Sequence, residues 1–192
     1  MTNTEGFTLF ETRYGQCGIA WGARGIVGVQ LPEADGAATR ARMRKRFPLL
    51  REWAPPPDVQ AGMGRITHLL TGGIDDLADV DLDWHGVSEF HRRVYELARR
   101  IPPGETRTYG EVAGELGDKG LARAVGQALG LNPFAPVVPC HRVLAAGGKP
   151  GGFSAHGGAS VKLRMLAVEG AEAAAIHSGS APLFSREALR QP

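Results

Sequence analysis

Apolar residues at the start of the chain fall in short runs. Phe7-Thr8-Leu9-Phe10, Cys17-Gly18-Ile19-Ala20-Trp21 and Ile26-Val27-Gly28-Val29-Gln30-Leu31 are each of strand length. Gly15, Gly22 and Gly25 stand between them, where turns need glycine. The three runs predict an antiparallel meander, with Cys17 packed in its core. Asp35 can cap a helix that runs toward Phe47. The helix carries Arg40-Ala41-Arg42-Met43-Arg44-Lys45-Arg46, the most basic stretch of the chain. It reads as a solvated helix face, with phosphate contact as its other use. Pro55-Pro56-Pro57 predicts a stiff surface connection, residues 66–70 a second short helix, and residues 75–83 an acidic loop. A boundary between Gly72 and Gly86 then divides the chain into an N-terminal α/β part, residues 1–85, and a second part, residues 86–170.

In the second part the pattern turns helical. Ser88 can cap a helix with Phe90, Val94, Leu97 and Ile101 on one face, and Pro102-Pro103-Gly104 stops it. Thr108 followed by Glu111 is a capping box, and it opens a helix that ends near Gly117. Another helix covers residues 119–129, with Gly130 as its stop. Two short helices joined through a glycine turn are a helix-turn-helix candidate. Residues 147–158 are glycine-rich loop. A last helix covers residues 159–169, with Val161, Met165 and Val168 as its apolar face. Residues 171–192 read as a flexible tail. The fold class is therefore α/β (α+β): a small antiparallel sheet with helices, then a helical part.

Composition narrows the setting. Of 192 residues, 43% are hydrophobic and 22% charged, as in a soluble globular protein. Two cysteines, Cys17 and Cys140, do not make a disulfide framework and fit a reducing, cytoplasmic compartment. The N-terminus lacks the pattern of a secretory signal, and no apolar run is long enough to span a membrane. The net charge of +2 announces no partner, but its distribution is uneven. Residues 1–85 carry 9 Lys+Arg against 11 Asp+Glu, a net of −2, while residues 86–170 carry 11 against 7, a net of +4. A mildly basic second part suits a DNA-binding surface.

The chemistry concentrates at Pro139-Cys140-His141-Arg142. Val137-Val138 leads the chain inward and Pro139 fixes one backbone angle just before a thiol. A histidine and an arginine follow at once, groups that can turn a weak thiol nucleophile into a thiolate. The competing reading is a buried cysteine acting as a small hydrophobe. On the helix before it, Ala122, Ala124, Gly126 and Ala128 are small and allow close approach to another surface, whether protein or ligand. Arg123 is the one long cation among them. No Cys-x-x-Cys or His-x-x-x-His spacing suggests a metal, and no glycine fingerprint suggests a bound nucleotide; no cofactor is expected.

Pro-Cys-His-Arg-Val, placed after Arg-Ala-Val-Gly and Asn-Pro, resembles the O6-alkylguanine-DNA alkyltransferases, the methylated-DNA–protein-cysteine methyltransferases. The resemblance runs from about residue 90 to 170 and is loose before that. It implies an RNase H-like first part and a winged-helix-like second part that binds double-stranded DNA containing alkylated guanine. It implies irreversible transfer of an alkyl group from guanine O6, and from thymine O4 as a second lesion, to Cys140, once per chain. In the implied site Glu169 polarises His141, which deprotonates Cys140 through water, and Asn132 stabilises the turn; Arg142 is structural. Ala122, Ala124 and Gly126 lie along the minor groove, and Arg123 fills the gap left by a flipped nucleotide. Tyr109 rotates the 3′ phosphate and touches the flipped base. Pro139, Phe153, Ser154 and Lys162 line the lesion pocket, with Ser154 donating to O6 and Lys162 near Tyr109. Phe153 stands where the commonest pattern has tyrosine, and Phe153-Ser154-Ala155-His156-Gly157-Gly158 is longer than the usual Tyr-Ser-Gly-Gly. A monomer is expected.

Two rivals remain in view. A lesion-binding sensor of the alkyltransferase-like type would have tryptophan in place of Cys140. A thiol hydrolase would have no use for a helix-turn-helix carrying Arg123.

Overall fold

A computed structural model describes residues 5–171. Strands β1 (Gly6–Thr12), β2 (Gly15–Gly22) and β3 (Gly25–Gln30) form the expected antiparallel meander in the order β1-β2-β3. Phe10 lies opposite Cys17 and Thr8 opposite Ile19. The strands turn at Gly15 and Gly25, whose φ values of 112° and 120° only glycine adopts freely.

Both faces of the sheet are covered. Helix α1 (Gly36–Arg46) lies on one, where Met43 packs with Phe7 and Ala20. Asp35 caps α1 by accepting a hydrogen bond from Ala38 N at 2.7 Å. The opposite face, with Phe10, Cys17, Ile19 and Trp21, packs into a larger core that continues through Val94, Val125, Val138 and Met165. One core therefore joins the two parts of the chain. Cys17 is fully buried within it, and burial pushes its thiol up to about 12. Such a thiol is inert filler.

Helix α2 (Pro57–Leu70) is longer than residues 66–70. Pro57 does not extend the connection; it occupies the first helical position, where its missing N–H costs nothing. Helix α3 (Glu89–Arg99) is capped by Ser88 and buries Val94 and Leu97 as the spacing predicts. It also buries Tyr95, whose hydroxyl donates to Ala128 O at 2.8 Å.

Helix α4 (Tyr109–Glu115) opens on the Thr108–Glu111 capping box, with both reciprocal hydrogen bonds made. A short 3-10 turn, Lys119–Leu121, precedes α5 (Ala122–Gly130). The second helix of the pair is thus shorter than expected, and Gly130 is its last residue rather than a stop beyond it. Strand β4 (Arg107–Thr108) runs parallel to β5 (Val143–Leu144). These two-residue strands tie the start of α4 to the chain just past Cys140. Helix α6 (Gly158–Val168) closes the described chain. Its buried face is Lys162, Met165 and Leu166, rather than Val161, Met165 and Val168. The tail assigned to residues 171–192 lies, beyond Ala171, outside the described residues.

Candidate active site

Cys140 begins a 3-10 turn, Cys140–Arg142, immediately after Pro139. All three side chains of the turn are buried. Asn132 supports the approach to the turn: its Nδ2 donates to Val138 O at 2.8 Å, and its Oδ1 accepts from Phe134 N at 2.9 Å. Cys140 N donates to the same Val138 carbonyl at 2.8 Å. Burial pushes the Cys140 thiol up, while a hydrogen bond with Asn132 and the charge of Lys162 pull it down. The net direction is upward, so the resting thiol keeps its proton and needs a base to become a nucleophile.

The next residue is a histidine. His141 is fully buried, and burial holds its pKa below the usual histidine value. Its ring is therefore neutral near pH 7. Nε2 donates to Glu169 Oε1 at 2.8 Å. The proton is on Nε2 because the carboxylate can only accept. Burial would raise the Glu169 pKa, but hydrogen bonds from His141 and Arg142 outweigh it and bring it to about 2. The lone pair then resides on Nδ1, which is buried and has no partner among the described residues. An imidazole held by a carboxylate on one nitrogen, with the other free, is the arrangement of a general base.

Glu169 is not the solvated helix end that its position suggests; its side chain is 2% exposed. Arg142 is what brings it inside. The guanidinium donates through Nε to Oε2 at 2.9 Å and through Nη2 to Oε1 at 2.8 Å. Nη1 donates to Ile101 O at 2.6 Å. This two-point grip fixes the plane of the carboxylate that holds His141. The sequence marks Arg142 as structural but does not reveal this partner.

Lys162 is fully buried, and its Nζ donates to Val143 O at 2.7 Å. The same nitrogen lies 5.7 Å from the centre of the Tyr109 ring and 6.0 Å from that of Phe153. Burial lowers its pKa to about 8, against the opposing pull of Cys140. Tyr109 opens α4, and its ring lies on α5 beside Gly126, where an added Cβ would meet it at 3.8 Å. Gly151 lies on its other side, in the left-handed region at φ 66°. An added Cβ at Gly151 would come within 3.0 Å of the Tyr109 hydroxyl.

A cavity of about 350 Å³ borders Cys140. Asn132, Phe153 and Ser154 line it from the second part. Val29, Leu31, Arg42 and Arg46 line it from β3, the residue after it and α1. Pro139 and Lys162 are buried and do not belong to its wall. The participation of the first part in this wall was not legible in the sequence. Ala122, Ala124 and Gly126 are half-buried along α5, whereas Arg123 is exposed with no protein partner among the described residues. No group of three His, Cys, Asp or Glu side chains among the described residues could hold a metal ion.

The chain is similar to proteins of known activity. A family model described as the DNA-binding domain of 6-O-methylguanine DNA methyltransferase matches residues 89–171. A methylated-DNA–protein-cysteine methyltransferase of Mycobacterium bovis is 41% identical over 129 residues, 67% of this chain and 76% of that one. Another, from Mycolicibacterium paratuberculosis, is 54% identical over 91 residues; the match spans 47% of this chain and 53%, about half, of that relative. The crystal structure of Mycobacterium tuberculosis O6-methylguanine methyltransferase superposes with a TM-score of 0.69 at 31% identity, covering 86% of this chain and 93% of that one. The same organism's OGT in complex with DNA gives 0.70 at 30% identity, with 85% and 92% covered. The chain belongs to the methylated-DNA–protein-cysteine methyltransferase family.

Proposed function

We propose that this protein repairs DNA by moving an alkyl group from O6 of guanine to Cys140, once per chain. The observation that carries the reading is the buried series Cys140, His141 and Glu169 beside a cavity that the helix-turn-helix borders at the end of α5. His141 takes the thiol proton through a water molecule, and Glu169 stabilises the imidazolium that results. The thiolate attacks the alkyl carbon in line. A C–S bond forms, the O6–C bond breaks, and its electron pair leaves with guanine, which is then protonated. The product thioether has no good leaving group, so the site is spent.

An alkyl carbon on O6 sits in the major groove and cannot be approached in line within the stack. The target nucleotide is therefore extruded, at a cost of about a few kcal/mol. Ala122, Ala124 and Gly126 let α5 lie close to the duplex, and Arg123 occupies the gap in the stack. Tyr109 turns the 3′ phosphate. Phe153 stacks on the flipped base and Ser154 donates to O6, with Pro139 and Lys162 behind them. Residues 1–85 act as a supporting domain and residues 86–170 as the domain that binds DNA and reacts. The protein works as a monomer in the cytoplasm.

The test is incubation with a duplex that carries radiolabelled O6-methylguanine. One label per chain on the peptide containing Cys140 is expected. Label on Cys17, or continued turnover, would contradict the proposal.

A further inference from the structure

The turn that leads to Cys140 rests on the first part of the chain. The Pro133 carbonyl accepts two hydrogen bonds, and both donors come from that part. Val29 N donates at 2.8 Å and Arg46 Nη2 at 3.2 Å. Arg46 also donates through Nη1 to Val29 O at 3.0 Å and to Gln30 Oε1 at 2.8 Å. One guanidinium thus stitches the end of α1, strand β3 and Pro133 together. It is the last member of a basic run whose other arginines behave differently: Arg40 and Arg44 pair with Glu52 at the surface.

The room for this clamp is built in. Gly28 lies under it, and an added Cβ there would come within 2.5 Å of Phe47 Cζ and 3.1 Å of Arg46 Nη2. The Arg46 guanidinium lies 5.1 Å from the centre of the Phe47 ring. A guanidinium taken partly out of water needs its donors matched, and here the matching acceptors sit on two parts of the chain. Asn132 directly precedes Pro133, and its side chain holds both Val138 O and Cys140. Any shift of the Pro133 carbonyl moves Asn132 with it.

We infer that Arg46 is a positioning residue for alkyl transfer. By fixing the Pro133 carbonyl to β3, it holds Asn132 in register with Cys140 and makes the first part of the chain a determinant of thiol reactivity. The link to transfer rests on the function proposed above; the link to the thiol does not.

The experiment compares the full-length chain with Arg46→Met, Arg46→Lys and Gly28→Ala, the last of which pushes the Phe47 ring and the guanidinium off β3. Methyl transfer is measured from an O6-methylguanine duplex and from the free O6-methylguanine base. Alkylation of Cys140 by iodoacetamide is followed against pH, and duplex affinity is measured at two salt concentrations. Arg46→Met slows transfer from both substrates by roughly 10- to 100-fold, the scale of a misplacement of ~1 Å at a reacting group. Its alkylation profile moves to higher pH, because the Asn132 hydrogen bond that favours the thiolate is lost. Arg46→Lys restores part of both effects, Gly28→Ala reproduces them, and duplex affinity stays unchanged at either salt. Unchanged rates and an unchanged thiol profile overturn the inference. So does a loss confined to duplex affinity that disappears at high salt, which makes Arg46 a phosphate contact. If Arg46→Met does not fold, wild-type behaviour of Arg46→Lys and Gly28→Ala together overturns it. If the wild type itself transfers no methyl group, the proposed function fails, and the thiol profile still decides the clamp.

Discussion

Glu169 is the side chain on which the reactive turn converges. It accepts from His141 and twice from Arg142, and it is almost wholly buried. Its carboxyl is held at about 2, below the ordinary value of 4.5. A group whose pKa is depressed by folding adds stability above its unfolded pKa and loses it as pH falls through the folded one. Wild type therefore sheds the Glu169 contribution, on the order of 3 kcal/mol, between about pH 4.5 and pH 2. Glu169→Gln leaves Arg142 buried without its counter-charge, which costs about 3–5 kcal/mol at pH 7. The stability gap between the two proteins, read from urea midpoints, should stay level above about pH 5 and narrow from about pH 4.5 toward pH 2. A constant gap would mean that the carboxylate is not the charged partner described here. Transfer should slow by about 10²-fold or more, the usual contribution of a general base. Cys140→Ser is expected to separate chemistry from recognition. The resting thiol is protonated, so serine replaces it without a change of charge. Transfer should vanish while the affinity for a lesion duplex holds, since phosphate contacts set most of that affinity. Collapse of binding in a folded variant would give Cys140 a role beyond the reaction.

Among the elements, α4 is the one whose start matters most, because Tyr109 is its first residue. Thr108 N donates to Glu111 Oε2 at 2.6 Å, and Glu111 N donates to Thr108 Oγ1 at 3.1 Å. Thr108→Ala removes one side of this box at a cost of about 1 kcal/mol, or a fall in Tm of about 2–4 °C. It also loosens Tyr109 over Gly126, so duplex repair should slow more than reaction with the free base. Equal slowing of the two would place Tyr109 in the active-site packing rather than in nucleotide rotation. The sequence announced this helix, because a capping box is a local signal that needs no tertiary context. Strands β1 to β3 and the core stripe of α3 were legible for the same reason, through periodicity and glycine turns. Tertiary contacts decided the rest. Strands β4 and β5 are two residues each and carry no pattern of their own. The resemblance implies a pocket place for Lys162, and no local rule foretells a buried lysine satisfied by the Val143 carbonyl. Arg46 looks in sequence like part of a solvated face, because its acceptors on β3 and at Pro133 are distant along the chain. The reactive turn was visible in one contiguous stretch, residues 132–143; its tie to Glu169, 28 residues from His141, came from the resemblance, and the cavity wall supplied by β3 and α1 was not visible at all.

At the scale of the whole molecule, the two parts share one interior. Ile19 and Trp21 of the sheet belong to the same buried cluster as Val125 of α5 and Val138 beside the reactive turn. Backbone hydrogen bonds cross between the parts as well, with Val29 N donating to Pro133 O. Charge, in contrast, is divided: residues 1–85 carry a net charge of −2, while residues 86–170, which include Arg123, carry +4. Loss of Arg123 to alanine should slow repair of duplex DNA, with little effect on the free modified base. The share of the defect due to lost charge should shrink at high salt, whereas the share due to failed extrusion should persist. An equal defect on both substrates would count against extrusion. A shared core also bears on cooperativity. If the apolar surface of the sheet can be buried only against the helices of the second part, neither part keeps its stability when the other opens. Amide hydrogen exchange at Ile19 in β2 and at Val125 in α5 should then report the same free energy of opening in native buffer. Both should fall together when Arg46→Met weakens the seam. A sheet that exchanges at markedly lower free energy than α5 would mean that the two parts unfold separately, despite the core that joins them.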